Sequence, residues 1–137
     1  MFFSIFLAAL VAFVLGAFWY SPLMFGNLWM KINKAEHYTK EQLAAMQKKM
    51  LPYYVLQFLM TLVTMFVLYS NIKWNGTVGV SGYWLAFFMW LGYVMPTQVG
   101  AVIWGNTDRK YQLKQILIMA VYQFITFMLA VCIFNLF

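Results

Sequence analysis

Acidic side chains are scarce in this 137-residue chain, which has three Asp and Glu against nine Lys and Arg, while 65% of its residues are apolar. A soluble domain of this length exposes a large share of its surface to water and could not bury so much apolar surface. We therefore expect the lipid bilayer to surround most of the chain. The net charge of +6 predicts contact with anionic lipid headgroups rather than with nucleic acid, because the cations lie between long apolar segments.

Charged side chains are also missing from the interior of four apolar runs, which cover about residues 2–20, 51–69, 83–104 and 113–134. Each run is long enough to cross about 30 Å of hydrocarbon as a helix, and none shows the alternating polarity of a barrel strand. The sequence therefore predicts an all-α integral membrane protein, with four transmembrane helices in a single domain over residues 1–137. Proton-coupled pumps need an ionisable group at membrane depth, so its absence argues against that class.

The basic residues are concentrated on one side of the predicted membrane. Eight of the nine Lys and Arg lie in or beside the connections 31–50 and 105–112, and only Lys73 lies between the second and third spans. The positive-inside rule places both basic connections in the cytoplasm and both termini outside. Residues 1–20 have no basic start and no small-residue cleavage site, so we expect a retained helix rather than a signal peptide.

The stretch "TKEQLAAMQKKM", residues 39–50, has the pattern of a helix start inside the first connection. Thr39 and Gln42 fit a capping box, in which each side chain bonds to the backbone of the other. The three apolar side chains that follow share one helical face: Leu43, Met46 and Met50. We expect a short amphipathic helix on the cytoplasmic surface, with its lysines facing headgroups. The alternative is a docking site for a soluble partner.

Residue combinations for catalysis, cofactor binding or metal binding are missing from the sequence. Cys132 is the single cysteine, so no disulfide can form within the chain. His37 lies four residues before Glu41, but one imidazole and one carboxylate make a poor metal site. We therefore expect no enzymatic activity, no cofactor and no metal, and a membrane enzyme is the least favoured interpretation.

Uncharged polar side chains do occur in the spans, and on the second span they recur at helical spacing. The candidates are Tyr54, Gln57, Thr61, Thr64, Gln98, Gln123 and Thr126. One interpretation is that they form hydrogen bonds between helices of the bundle. The other is that they line a polar cavity, or a pore formed in an oligomer.

Small residues spaced four apart form two rows, which are Ala8, Ala12 and Gly16 in the first span and Gly92, Pro96 and Gly100 in the third. Such rows let helix backbones approach closely, either within the chain or between subunits. Pro96 lacks an N–H and should kink the third helix. We expect Thr97 or Gln98 to bond with the carbonyl that this proline leaves free.

Two stretches resemble one another, namely "PLMFGNLW" at residues 22–29 and "PTQVGAVIW" at residues 96–104. This internal similarity predicts a duplicated two-helix hairpin, with the amphipathic helix as extra length in the first copy. The signature residues are Trp19, Tyr20, Ser21, Pro22, Gly26, Trp29, Pro96, Gly100 and Trp104. The capping pattern favours a break after the first span, with Ser21 as N-cap and Pro22 as the first residue of a short helix. The internal similarity favours a kink within one longer helix.

The stretches "GAFWYSPLMFGNLWM" and "GYVMPTQVGAVIWGN" together resemble a family of small four-helix bacterial membrane proteins catalogued only as a domain of unknown function. The resemblance covers essentially the whole chain and implies four helices in a bacterial inner membrane, but it brings no activity or substrate. We expect a non-enzymatic membrane protein that acts by oligomeric assembly or as an accessory subunit. The alternative is a small oligomeric channel or carrier for a neutral or hydrophobic solute.

Overall fold

The computed structural model describes residues 1–77 and 79–137, and all the regular secondary structure in that part of the chain is helical. The helices are α1 (Phe2–Trp19), α2 (Gly26–Ile32), α3 (Lys40–Trp74), α4 (Val80–Met89), α5 (Met95–Ile103) and α6 (Arg109–Leu136), and a π-helical turn (Trp90–Val94) joins α4 to α5. Four helical stretches are long and apolar enough to cross a membrane: α1, α3, α4 to α5 taken together, and α6. This confirms the prediction of an all-helical chain with four candidate spans.

Helix α6 is the centre of the arrangement, because α1 packs on one side of it and α4 and α5 pack on another, while α3 packs against α1. The first small-residue row makes the contact between α1 and α6 possible. Ala8 and Ala12 are buried, and a Cβ placed on Gly16 would lie 2.8 Å from the Tyr122 hydroxyl oxygen. That hydroxyl donates a hydrogen bond of 2.8 Å to the Ala12 carbonyl. The row therefore serves packing within the chain.

Helix α3 begins where the sequence predicts a helix start, but it continues far beyond residue 50. Thr39 and Gln42 form the predicted capping box, with bonds of 2.9 Å and 3.2 Å. Residues 39–50 are thus the first turns of a 35-residue helix rather than a separate one. Pro52 lies inside that helix. It costs the helix one backbone hydrogen bond, because proline has no N–H. No glycine or other turn-forming residue lies nearby to end the helix there.

A π-helical turn directly precedes α5, in whose first turn Pro96 lies. Its Trp90 carbonyl accepts from the Met95 N–H, five residues later. The Thr97 hydroxyl donates to the carbonyls of Tyr93 and Val94, each at 2.8 Å. The expectation that it bonds with the carbonyl freed by Pro96 is wrong, because that carbonyl lies four or five residues before the proline, at Gly92 or Leu91. The indole N–H of Trp90 donates to the Ala120 carbonyl of α6 at 2.9 Å and so fixes this turn against the central helix.

Candidate functional site

The signature stretch after α1 forms a tight turn before α2. The Phe25 N–H bonds to the Trp19 carbonyl at 3.0 Å, and the Gly26 N–H bonds to the Ser21 carbonyl at 2.9 Å. A Cβ on Gly26 would lie 2.7 Å from that Ser21 carbonyl oxygen, so the close approach of two backbone segments requires glycine here. The chain does break between the two helices, as the capping pattern predicts.

The expected capping roles within this turn are wrong. Helix α2 begins at Gly26 with Phe25 as its N-cap, so Pro22 lies in the turn and not in the helix. The Ser21 hydroxyl instead donates to the Phe18 carbonyl at 2.6 Å and accepts from the Leu23 N–H at 3.3 Å. Ser21 thus ends α1, because the turn places its side chain next to the last carbonyls of the preceding helix.

Aromatic side chains of the signature pack into one cluster at this end of the molecule. Trp19 is buried, donates its indole N–H to the Ile118 carbonyl at 3.1 Å and lies 4.8 Å from the Phe25 ring, between centroids. Tyr20 lies 4.9 Å from Trp29. The cluster joins α1, α2 and α6.

The two similar stretches have different local conformations. Pro22 lies in a turn, whereas Pro96 lies in the first turn of α5. Gly26 is crowded by backbone, whereas a Cβ on Gly100 would meet nothing within 4 Å. Trp104 is 89% exposed. The shared pattern of proline, glycine and tryptophan therefore serves a different local structure in each stretch.

The threonines of the spans bond to their own helices. Thr61 donates to the Gln57 carbonyl at 2.9 Å, and Thr64 donates to the Met60 carbonyl at 3.0 Å. Thr126 is buried and donates to the Tyr122 carbonyl at 2.8 Å. These three hydroxyls are satisfied within their own helices, so they do not form the hydrogen bonds between helices that one interpretation of the polar candidates expects.

The three glutamines of the candidate set are different. None of their side-chain amides forms a hydrogen bond with another described residue. Gln57 is exposed and Gln123 is half-buried, while the Oε1 atom of Gln98 is buried without a partner within the described part of the chain. Tyr54, the remaining member of the set, is 44% exposed. Each glutamine thus lies in a candidate span and has a side-chain amide that no other described residue bonds.

A groove of about 940 Å³ lies between α3 and the α4–π-helical segment. Leu68 and Phe127, both buried, form its floor. Its rim includes Phe88 and Tyr93, which are 61% and 72% exposed. Thr64 is the only one of the seven predicted polar residues that lines it, so the structure does not bring that set together around this groove.

Asn71 also lines the groove, and the sequence interpretation missed it by assigning it to the connection after the second span. Its Nδ2 donates to the Val67 carbonyl at 2.9 Å. Gln57, Thr64 and Asn71 are spaced seven residues apart, which places them on one face of a continuous helix. Following that spacing past residue 69 would have found Asn71.

A smaller polar cavity of about 260 Å³ lies at the other end, lined by Ile32, Asn33, Lys34, Asn106 and Thr107. The Lys34 ammonium there is 3.8 Å from the Asp108 carboxylate, which offsets its charge. Among the described residues no group of three His, Cys, Asp or Glu side chains could hold a metal ion. The groove between α3 and α4 is therefore the stronger candidate site.

A family model described as "Protein of unknown function (DUF1761)" matches residues 3–135 of the chain. The match covers all four candidate spans and both signature stretches, and it confirms the resemblance to a family of unknown function. No curated protein matches the chain, and no solved structure matches it.

Proposed function

We propose that this chain, which belongs to the DUF1761 family, is a non-enzymatic protein of the bacterial inner membrane that acts by assembly. It would assemble with further copies of itself, or with another membrane protein as an accessory subunit. The observation that carries this proposal is the exposed, unpaired side-chain amide of Gln57 on α3.

An amide that faces hydrocarbon without a partner is costly, because lipid chains cannot replace the hydrogen bonds of water. Threonines in the same helix avoid this cost by bonding to carbonyls one turn earlier, as Thr61 does. Gln57 has no such bond. A second protein that supplies a donor and an acceptor would satisfy it, at a gain of about 0.6–2 kcal/mol for each hydrogen bond.

The proposed orientation follows from the charges and from the length of α3. A helix of 35 residues is about 52 Å long, which exceeds the hydrocarbon thickness of about 30 Å. Its first turns carry Lys40, Lys48 and Lys49 and would lie in the cytoplasm beside anionic headgroups, with both termini outside. Met46 and Met50 are exposed there, so this segment also offers an apolar face to the membrane surface.

A duplicated hairpin remains part of the proposal. Helix α1 packs on α3, and α4 and α5 pack on α6, so each proposed copy is a pair of neighbouring spans. In this interpretation the two hairpins shared one structure after the duplication, and the conformations at Pro22 and Pro96 diverged afterwards.

The test compares Gln57→Leu with the matched variant Thr61→Val, each labelled and reconstituted at a fixed lipid-to-protein ratio. Energy transfer between labelled copies, or between the chain and a co-purifying partner, reports assembly. We expect Gln57→Leu to weaken assembly by about tenfold, equivalent to about 1.4 kcal/mol. Thr61→Val removes a hydroxyl that bonds within its own helix and should leave assembly unchanged. Equal assembly in the wild type and in Gln57→Leu would contradict the proposal.

The second candidate function is the binding of a neutral or hydrophobic molecule, and the groove between α3 and α4 favours it. A volume of about 940 Å³ lies within the usual range for small-molecule sites. The groove reaches only from Val63 to Asn71 along α3, which favours binding over passage through the whole membrane.

A further inference from the structure

The groove between α3 and α4 is as long as one leaflet of a bilayer. Val63 and Asn71 mark its ends on α3, and eight residues of helix rise about 12 Å. On the opposite wall, Leu85 and Val94 are separated by a similar length. One leaflet contributes about half of the hydrocarbon thickness of about 30 Å. A transmembrane helix would need a groove about twice as long in order to pack along its whole span.

The chemistry of the groove changes along its length. Asn71 lies three residues before the end of α3 at Trp74, which is 84% exposed, and tryptophan is enriched at the headgroup level of membranes. The Asn71 amide donates to its own helix, which leaves its oxygen able to accept. From there inward most lining residues are apolar, with Val67 and Leu85 among them, and the hydroxyl of Thr64 bonds within its own helix. One end is thus suited to a headgroup region and the rest to a hydrocarbon chain.

The inner end of the groove coincides with the π-helical turn. Gly92, Tyr93 and Val94 belong to that turn and line the groove, whereas Pro96 and Gly100 do not line it. A π-helical turn inserts a residue into the helical register, so the face that carries Gly92 does not continue along α5. The wall therefore ends near the middle of the membrane, and a flexible chain fits this outline better than a straight helix does.

We propose that the groove holds one acyl chain of a bilayer phospholipid, in the leaflet on the side of the connection between α3 and α4. The inference rests on the second candidate function, the binding of a hydrophobic molecule. The chain would lie on Leu68 and Phe127 and be flanked by Val67 and Phe88.

The experiment uses the full-length protein in vesicles of phosphatidylethanolamine and phosphatidylglycerol, with a trace of a phospholipid whose acyl chain ends in a photoreactive diazirine. After illumination, mass spectrometry of the digested protein locates the lipid adducts. We expect them to be concentrated at the inner end of the groove, around Val63 and residues 92–94, because the photoreactive group is at the end of the acyl chain. Adducts spread evenly over all outward helix faces would overturn the proposal, because they would report ordinary contact with surrounding lipid.

Two glycines provide a matched pair of variants. A Cβ added at Gly92 or at Gly100 would meet nothing within 4 Å, but only Gly92 lines the groove. Gly92→Leu should fill the groove and reduce its adducts severalfold, while Gly100→Leu should leave them unchanged. Val67→Phe fills the groove from α3 and should reproduce the loss if Gly92→Leu folds poorly.

Assembly is measured on the same samples. If Gly92→Leu abolishes assembly and groove adducts are absent in the wild type, a second copy fills the groove and the lipid proposal is wrong. If groove adducts appear but the wild type never assembles, the lipid proposal stands and the assembly proposal fails.

Discussion

At the scale of single residues, glycine has a different structural role in each of the two similar stretches. Gly26 is in contact with the backbone of Tyr20 and Ser21, while Gly100 faces open space. The sequence alone predicts that both glycines matter, because both follow a proline by four residues. It could not separate them, because the difference depends on a backbone turn whose closure is visible only in three dimensions.

Substituting alanine at these glycines should therefore have unequal effects. Gly26→Ala places a methyl group against the Tyr20 carbonyl and within 2.7 Å of the Ser21 carbonyl oxygen, and we expect it to lower the free energy of unfolding by about 3 kcal/mol. Gly100→Ala should be neutral or slightly stabilising, since alanine favours helix. Unfolding in mixed detergent micelles measures both variants. A Gly26→Ala protein as stable as Gly100→Ala would refute the role of the turn.

At the scale of helices, the number and class of the elements could be predicted from apolar runs, but their ends could not. The capping box at Thr39 and Gln42 was visible in the sequence, and the structure contains it. The sequence did not indicate that α3 continues through Pro52, because an internal proline can either end a helix or only kink it. The π-helical turn was also hidden, since it depends on how Trp90 meets Ala120 of α6.

Thr39→Ala tests the start of α3. Loss of the side-chain cap should destabilise the first turn by about 1 kcal/mol, which corresponds to about fivefold faster amide hydrogen exchange there. Exchange at Gln42, whose N–H bonds to the Thr39 hydroxyl at 3.2 Å, should change most. The first turn of α6 provides the internal control and should not change. An unchanged exchange rate at the Gln42 amide would mean that the capping box does not stabilise the N-terminal end of α3.

At the scale of the whole molecule, composition predicted a multi-pass membrane protein, and the four candidate spans agree with it. Which helices pack against each other could not be predicted, because a row of small residues does not indicate which helix it contacts. Ala12 and Gly16 contact Tyr122 of α6, and a groove lies between α3 and α4. Neither the groove nor the unpaired state of Gln57 follows from spacing alone.

The orientation can be tested by single cysteines introduced in a Cys132→Ala background. Asn75 and Asn106 are both exposed asparagines, one in the connection after α3 and the other in the connection before α6. We expect Asn75→Cys to react with a membrane-impermeant thiol reagent added to intact cells. Asn106→Cys should react only after the membrane is permeabilised. The reverse pattern would invert the proposed topology.

The central claim is that the protein acts as part of an assembly, and its mass in a native-like lipid environment tests this most directly. Mass spectrometry of wild-type particles released from lipid nanodiscs distinguishes the states, because one copy has a mass of 16.1 kDa. We predict a discrete multiple of that mass, or one copy bound to another membrane protein, with phospholipid retained. Particles that contain a single copy and no protein partner, at every protein concentration tested, would contradict the account.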